Sequence, residues 1–92
     1  MIHHESEYRR WLEREGVGEN DLVASSPDSY VSYLRSVSKL LGRDLAPDSL
    51  SSEDEVLAIA SRLEGHRAPA TIKNYKSAMR QYAAMIQARA HL

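Results

Sequence analysis

The stretch "PATIKNYKSAMRQYAAMIQ", residues 69–87, decides the fold that we expect for this chain. Apolar side chains recur in it three and four residues apart, which is the period of an α-helix with one buried face. At about 100° per residue, the five members of this apolar row lie within about 80° of arc. They are Ile72, Tyr75, Met79, Tyr82 and Ile86. The pattern predicts a long helix that begins near Pro69 or Ala70 and continues to about Ala88.

A second row on the same helix carries positive charge. Lys73, Lys76 and Arg80 lie roughly 120° around the helix from the apolar row, so we expect them to remain accessible and unpaired when that row is buried. Side chains that can donate hydrogen bonds accompany them, namely Thr71, Asn74 and Ser77. The charge pattern alone leaves two interpretations open, an ordinary solvated face and a surface that binds a polyanion.

The same helical period predicts two helices near the start of the chain. The first spans residues 5–15, with an aromatic and leucine face and with acid–arginine pairs one turn apart on its surface. The second begins at Pro27 after the N-cap Ser26 and ends before Gly42, a residue suited to a helix C-terminus. Its expected core row is Tyr30, Leu34, Val37 and Leu41, widened by Tyr33 and Leu40. Between these helices the sequence also allows one short helical turn around residues 21–23.

A third helix is predicted by a capping box, Ser52 with Glu55 three residues later. Acidic residues crowd its first turn, where the helix dipole favours them. Its apolar face consists of Val56, Ile59, Ala60 and Leu63. In the connector before it, Leu45 and Leu50 are expected to close the edge of the core. Together these elements predict an all-α, compact four-helix bundle that forms one domain over residues 1–92.

Size and composition favour a single domain. The chain has 92 residues, of which 42% are hydrophobic and 27% charged, enough for one core and too few for a second. It contains no cysteine, which excludes disulfides and thiolate zinc sites and suits a reducing compartment. Its apolar runs are far shorter than the roughly 20 residues of a membrane span, and its N-terminus lacks a signal-peptide core. We therefore expect a cytoplasmic protein without a membrane partner.

Neither a metal site nor an active site is indicated by the residue pattern. The four histidines do not recur at a spacing that would bring three or four ligands onto one ion. None of the serines lies in a Gly-x-Ser-x-Gly elbow, and no cysteine nucleophile is present. We expect a non-enzymatic domain with no cofactor, no metal and no small-molecule substrate.

Charge is distributed unevenly along the chain. Residues 1–61 contain six Lys/Arg and twelve Asp/Glu, whereas residues 62–92 contain six Lys/Arg and one Asp/Glu. A basic final third is typical of a polyanion-binding element, provided that folding does not bring acidic neighbours alongside it. The same asymmetry is also compatible with a dimer in which the acidic front of one chain meets the basic helix of another.

The order of these patterns resembles the N-terminal core-binding domain of tyrosine recombinases, or phage integrases. The segments that carry the resemblance are "YRRWLEREGV", "SYVSYLRSVSKLLG", "SLSSEDEVLAIASRLEG" and "APATIKNYKSAMRQYAAMI", with the closest local match in "TIKNYKSAMRQY". The resemblance covers nearly the whole chain as a sequence of helices and spacings. The chain departs from the family in its longer loop "GVGENDLVASSPDSY" and in lacking the catalytic domain.

The resemblance implies a SAM-like four-helix bundle that forms one half of a clamp around duplex DNA, alone or as a homo-oligomer, in a prokaryotic or phage-like setting. Carried over by position, the DNA-facing residues are Thr71, Lys73, Asn74, Ser77 and Arg80 on the fourth helix, and Arg35 and Lys39 on the second. The charge pattern adds Lys76 and Arg67 to this set. The chain would then be the N-terminal part of a longer protein, either a recombinase or a restriction-type nuclease, with catalysis in another segment.

Overall fold

Four α-helices account for most of the residues that the structure, a computed structural model, describes: residues 1–15 and 27–90. They are α1 (Glu5–Glu15), α2 (Pro27–Leu41), α3 (Glu53–Leu63) and α4 (Pro69–Ala90). The radius of gyration is 12.1 Å, close to the value of about 12 Å expected for a compact domain of this length. The all-α, four-helix fold predicted from the sequence is confirmed. The predicted N-cap Ser26 and the predicted turn at residues 21–23 lie outside the described residues.

The helix α4 is the centre of the bundle, because α1, α2 and α3 all pack against it. Four of its five predicted core residues are buried, and Ile86 is half-buried against the same core. Three further residues are buried that the single predicted row did not include, Ala78, Ala83 and Met85. A helix with neighbours on three sides buries a wider arc than the one stripe of a surface helix.

The helix α2 buries most of its predicted row and one polar residue besides. Tyr30, Leu34 and Val37 are buried, whereas Tyr33, Leu40 and Leu41 are only partly buried. Val31 and Ser38, which the sequence pattern did not indicate, are also buried. The Ser38 hydroxyl accepts a hydrogen bond from the α-amino group of Met1 at 2.9 Å and donates to the Arg43 carbonyl at 2.7 Å. A buried hydroxyl that is hydrogen-bonded in this way avoids the cost of desolvation.

The N-terminal residues run beside the connector that follows α2. The His3 amide donates to the Leu45 carbonyl at 2.8 Å, and the Leu45 amide donates to the Met1 carbonyl at 3.0 Å. This parallel bridge places Ile2 in the core beside Leu45. Leu45 and Leu50 are fully buried, which confirms that they close the edge of the core.

Local sequence signals set the helix ends. Gly42 follows α2 at φ 70°, in the left-handed region that glycine adopts at little cost. At the start of α3, the Ser52 hydroxyl accepts from the Glu55 amide at 3.3 Å, as in a capping box. The Glu55 carboxylate reaches one residue further back and accepts from the Ser51 amide at 2.7 Å and the Ser51 hydroxyl at 2.9 Å. These hydrogen bonds, the one from the Ser51 backbone foremost, lower the pKa of Glu55.

The expected acid–arginine pairs within α1 are wrong, since three charged residues of this helix pair with other helices. The pairs are Glu5 with Arg35 of α2, Arg9 with Asp28 of α2, and Glu7 with Arg89 of α4. The helix α1 packs against both α2 and α4, so these three side chains reach carboxylates and guanidinium groups on the neighbouring helices.

The α3 cap gives a prediction about acid stability. Because the pKa of Glu55 is lowered in the folded chain, its stabilising contribution is complete above its ordinary value of 4.5 and is lost as the pH falls through the lowered pKa. We expect Glu55→Gln to lower the free energy of unfolding by about 1 kcal/mol near pH 7, and by less near pH 2. Urea denaturation followed by circular dichroism at both pH values measures this difference. Asp54→Asn, which removes a charge from the same turn, is the control, and an equal effect of both variants would contradict the prediction.

Candidate nucleic-acid interface

Three of the predicted DNA-binding cations line one open groove where α3 turns into α4. The groove has a volume of about 490 Å³, and its lining residues are Glu64, Gly65, Arg67, Pro69, Ile72, Lys73 and Lys76. Within the described ranges, none of the three cations forms an ion pair with a carboxylate. We refer to the surface formed by Arg67, Lys73 and Lys76 as the basic groove.

The backbone of the turn between α3 and α4 shapes the basic groove. Gly65 has a φ of 86°, which reverses the chain after α3, and Arg67 is held over the turn by a hydrogen bond to the His66 carbonyl at 2.7 Å. The helix α4 then begins at Pro69, and its first turn contains no acidic residue. The free N–H groups of a helix start and the positive end of its dipole favour anions. The groove therefore combines three cations with the positive end of a 22-residue helix.

Arg80 is paired, contrary to the expectation that every cation of the α4 row would be free. Its Nε donates to both carboxylate oxygens of Glu53, at 2.6 and 3.0 Å. Glu53 opens α3, where the helix dipole favours an acid, and the docking of α3 on α4 brings that acid to Arg80. Both side chains are 49% exposed, and an ion pair at such a site contributes about 0–1 kcal/mol. A phosphate therefore competes with the Glu53 carboxylate for Arg80 at little cost.

Arg35 on α2, which the resemblance places among the DNA-facing residues, is also paired. Its Nε and Nη2 donate to the two carboxylate oxygens of Glu5, at 3.0 and 2.8 Å. The hydrogen bond from Arg35 is the main cause that lowers the pKa of Glu5, and the same bond raises the pKa of Arg35. Lys39, one turn further along α2, is exposed and has no ion-pair partner in the part of the chain that the structure describes. Neither residue lines the basic groove.

The polar residues predicted on α4 lie beside the groove and do not line it. Thr71, Asn74 and Ser77 are all half-buried. The Ser77 hydroxyl donates to the carbonyl of Lys73 at 3.3 Å, a bond within α4 that engages its one donor. Thr71 and Asn74 remain the better candidates for hydrogen bonds to a ligand at this face.

The acidic partners of the two arginines are not apparent from the sequence. Neighbours in sequence predict a capping role for Glu53 and pairs within α1 for Glu5. The observed partners are 27 and 30 residues away, so only the packing of α3 on α4 and of α1 on α2 brings them together. The excess of Asp/Glu in the first 61 residues was the one available signal that such neutralisation would occur.

A second groove lies between α1 and the C-terminal half of α4. It has a volume of about 340 Å³, and its lining residues are Glu7, Arg10, Trp11, Arg14, Met85, Ala88 and Arg89. The Trp11 indole Nε1 donates to the Gln81 amide oxygen at 3.0 Å, and the Arg14 guanidinium lies 5.4 Å from the centre of the indole ring. We refer to this surface as the tryptophan groove. It is separated from the basic groove by the length of α4, since Lys73 and Arg89 are sixteen residues or about 24 Å apart along the helix axis.

Comparison with known proteins gives no assignment, because no protein-family model, no curated protein and no solved structure matches the sequence. None of the helices in the described residues has the length and apolar character needed to cross a bilayer. Over the same residues, no three acidic or histidine side chains are grouped as a metal ion would require. The functional assignment depends on the geometry and charge of the two grooves.

The Arg35 pair gives a prediction that spectroscopy can test. We expect Arg35→Met to raise the pKa of Glu5 back towards its ordinary value of 4.5, because the main cause of its lowering is removed. An NMR titration of the Glu5 side-chain carbon measures that pKa. Lys39→Met removes the same charge one turn away without removing a bond to Glu5, and serves as the control. A pKa of Glu5 that is the same in all three proteins would contradict the pairing.

Proposed function

We propose that this chain is a non-catalytic module that binds duplex DNA through the phosphate backbone, similar in role to the core-binding domain of a tyrosine recombinase. The observation that carries the proposal is the basic groove, where Arg67, Lys73 and Lys76 lie beside the N-terminus of α4 and form no ion pair with any carboxylate of residues 1–15 and 27–90. Duplex DNA carries one charge about every 1.7 Å along its axis and holds condensed counterions. Cations clustered on a protein release those counterions when they bind the phosphates, which favours binding. A phosphate group also suits the free N–H groups of a helix start.

The chemistry of the groove favours binding that depends weakly on DNA sequence. Lysine offers a flexible point charge and is suited to phosphates, whereas base edges are distinguished by bidentate side chains in the major groove. Asn74 and Thr71 stand beside the groove and are the candidates for base contacts. Arg80 and Arg35 contribute when a phosphate replaces the carboxylate that each now holds.

Two related interpretations share the basic groove. A holding module at the front of a restriction-type nuclease would use the same phosphate contacts. In either case a DNA partner places the chain in the cytoplasm of a prokaryotic or phage-infected cell.

Dimerisation between the acidic front and the basic helix is less favoured. The acids Glu5, Glu53 and Asp28 form ion pairs within one chain, whereas the groove cations form none with the residues that the structure describes.

The proposal predicts that DNA binding depends on the two groove lysines. We expect the double variant Lys73→Gln and Lys76→Gln to bind a mixed-sequence duplex roughly tenfold more weakly at low salt, because two phosphate contacts are lost. The slope of log affinity against log salt should become less steep by about 2. Fluorescence anisotropy with a labelled duplex over a salt series measures both quantities.

The matched control is Arg10→Gln with Arg14→Gln, which removes two charges at the other end of the molecule. It should bind as the wild type does, at protein concentrations low enough for every variant to be monomeric. Equal affinities of the lysine variant and the wild type, or no binding by the wild type at low salt, would rule out the proposal.

The pairing of Arg80 predicts a variant that binds DNA more tightly. Glu53→Gln removes the carboxylate that competes with phosphate for the Arg80 guanidinium, so we expect an affinity increase of a few-fold and a salt slope steeper by about 0.9. Asp54→Asn removes the same charge at the next position and releases no arginine, so its effect measures the change in net charge alone. If the two variants gained the same affinity, Arg80 would not be a DNA contact.

A further inference from the structure

Leu57 is an apolar side chain left exposed in the middle of α3. It is 47% exposed, and among the described residues the other exposed large hydrophobic residue is the N-terminal Met1. Asp54 lies three residues before it, on the same side of the helix, and is also exposed. We refer to Asp54 and Leu57 together as the acidic knob. Single exposed leucines are common in proteins, so the acidic knob indicates a binding surface only if a complementary surface exists.

The tryptophan groove complements the acidic knob, because it combines apolar side chains with arginines. Trp11, Met85 and Ala88 supply its apolar lining. Its charged lining consists of Arg10, Arg14 and an ion pair in which Arg89 lies 3.4 Å from Glu7. Among the described residues Arg10 has no ion-pair partner, and the exposed Arg14 pairs only with its neighbour Glu15, at 3.7 Å. A volume of about 340 Å³ is sufficient for one bulky apolar side chain. Such a side chain with a carboxylate next to it would bury its apolar part against the indole and place its charge on the rim.

The knob and the groove of one chain lie on different sides of α4. On the α3 side, Arg80 binds Glu53 and the Gln87 side chain donates to the Ser51 carbonyl at 2.9 Å. On the α1 side, Gln81 accepts from Trp11. Positions 80 and 81 differ by about 100° around the helix, so the two contacts define separate flanks. The knob of one chain therefore cannot enter its own groove, and a second copy is needed to bring them together.

We propose that copies of this chain associate head to tail, with Leu57 of one copy in the tryptophan groove of the next and Asp54 facing Arg10 and Arg14. The charges of Asp54 and of Arg10 and Arg14 are opposite. Leu57 is exposed, and the apolar lining of the groove is partly open to solvent, since Trp11 and Ala88 are half-buried and Met85 is buried. Such a contact is heterologous: each added copy leaves one knob and one groove unoccupied, so the assembly continues to grow with concentration. None of the residues of the basic groove takes part, and the association does not depend on DNA.

Two complementary variants test this contact. Leu57→Lys removes the knob and keeps the groove, whereas Arg10→Glu with Arg14→Glu keeps the knob and reverses the charge of the groove. All three positions are exposed, so these substitutions leave the core intact, which circular dichroism checks. As a control for charge reversal, Lys39→Glu with Arg43→Glu changes two exposed cations of equal spacing on and just after α2.

Sedimentation velocity over a concentration series gives the result. We expect the wild type and the control to exceed the mass of a dimer as concentration rises, and each complementary variant to remain a monomer. An equimolar mixture of the two variants should form a heterodimer and grow no further, because it contains one usable knob and one usable groove. Trp11 is the only tryptophan, so its fluorescence emission should shift to shorter wavelength in that mixture and in neither variant alone. A wild type that stays monomeric, or a mixture that does not pair, would overturn the proposal.

Discussion

The structure depends on tyrosines buried where other helices contact α4. The chain contains no phenylalanine, so tyrosine supplies much of the aromatic bulk of the core, and each buried phenol hydroxyl needs a hydrogen-bond partner. Tyr8 and Tyr82 pack with their ring centres 5.7 Å apart where α1 meets α4. The Tyr8 hydroxyl donates to the Ala78 carbonyl at 2.8 Å, and the Tyr82 hydroxyl donates to the His3 carbonyl at 2.9 Å. Burial raises the pKa of Tyr8 and raises that of Tyr82 to about 12, so both phenols stay protonated donors at neutral pH. These directional bonds fix the rotation of α4, and with it the side on which its cations stand.

Interactions between neighbours in sequence were sufficient to predict the helices. The burial and ion pairs of individual residues on α4 depend instead on contacts between helices. The capping box at Ser52, the glycine after α2 and the period of the apolar residues each depend on neighbours within one or two turns, and the corresponding helices are observed. The burial of Met85 and the pairing of Arg80 depend instead on which helix lies alongside α4. A helical wheel contains no information about neighbouring helices, so it placed the cations correctly outside the core and could not show which of them are neutralised.

The connection between α3 and α4 explains why the cations of α4 without an ion pair, among the described residues, lie towards its N-terminal end. The two helices are joined by a turn of five residues and pack against each other, so the start of α3 lies beside the middle of α4 and the end of α3 beside its beginning. Acids are favoured in the first turn of α3 by its dipole, and they neutralise the part of α4 that contains Arg80. At the other end of α3, the first turn of α4 contains no acidic residue. Lys73 and Lys76 therefore form no ion pair with a carboxylate of the described residues.

The basic groove and the tryptophan groove differ in their chemistry. Carboxylates crowded at the start of α3 supply both the partner of Arg80 and the acidic part of the exposed knob around Leu57, so one capping requirement underlies both the ion pair and the docking surface that we propose. The tryptophan groove lies across α4 from that acidic turn, where α1 contributes arginines that α3 does not reach. Positive charge lines both grooves, but with different neighbours. Beside the N-terminus of α4 it faces solvent among backbone N–H groups and suits phosphates, whereas around Trp11 it surrounds an apolar floor and suits an acidic, partly apolar protein surface.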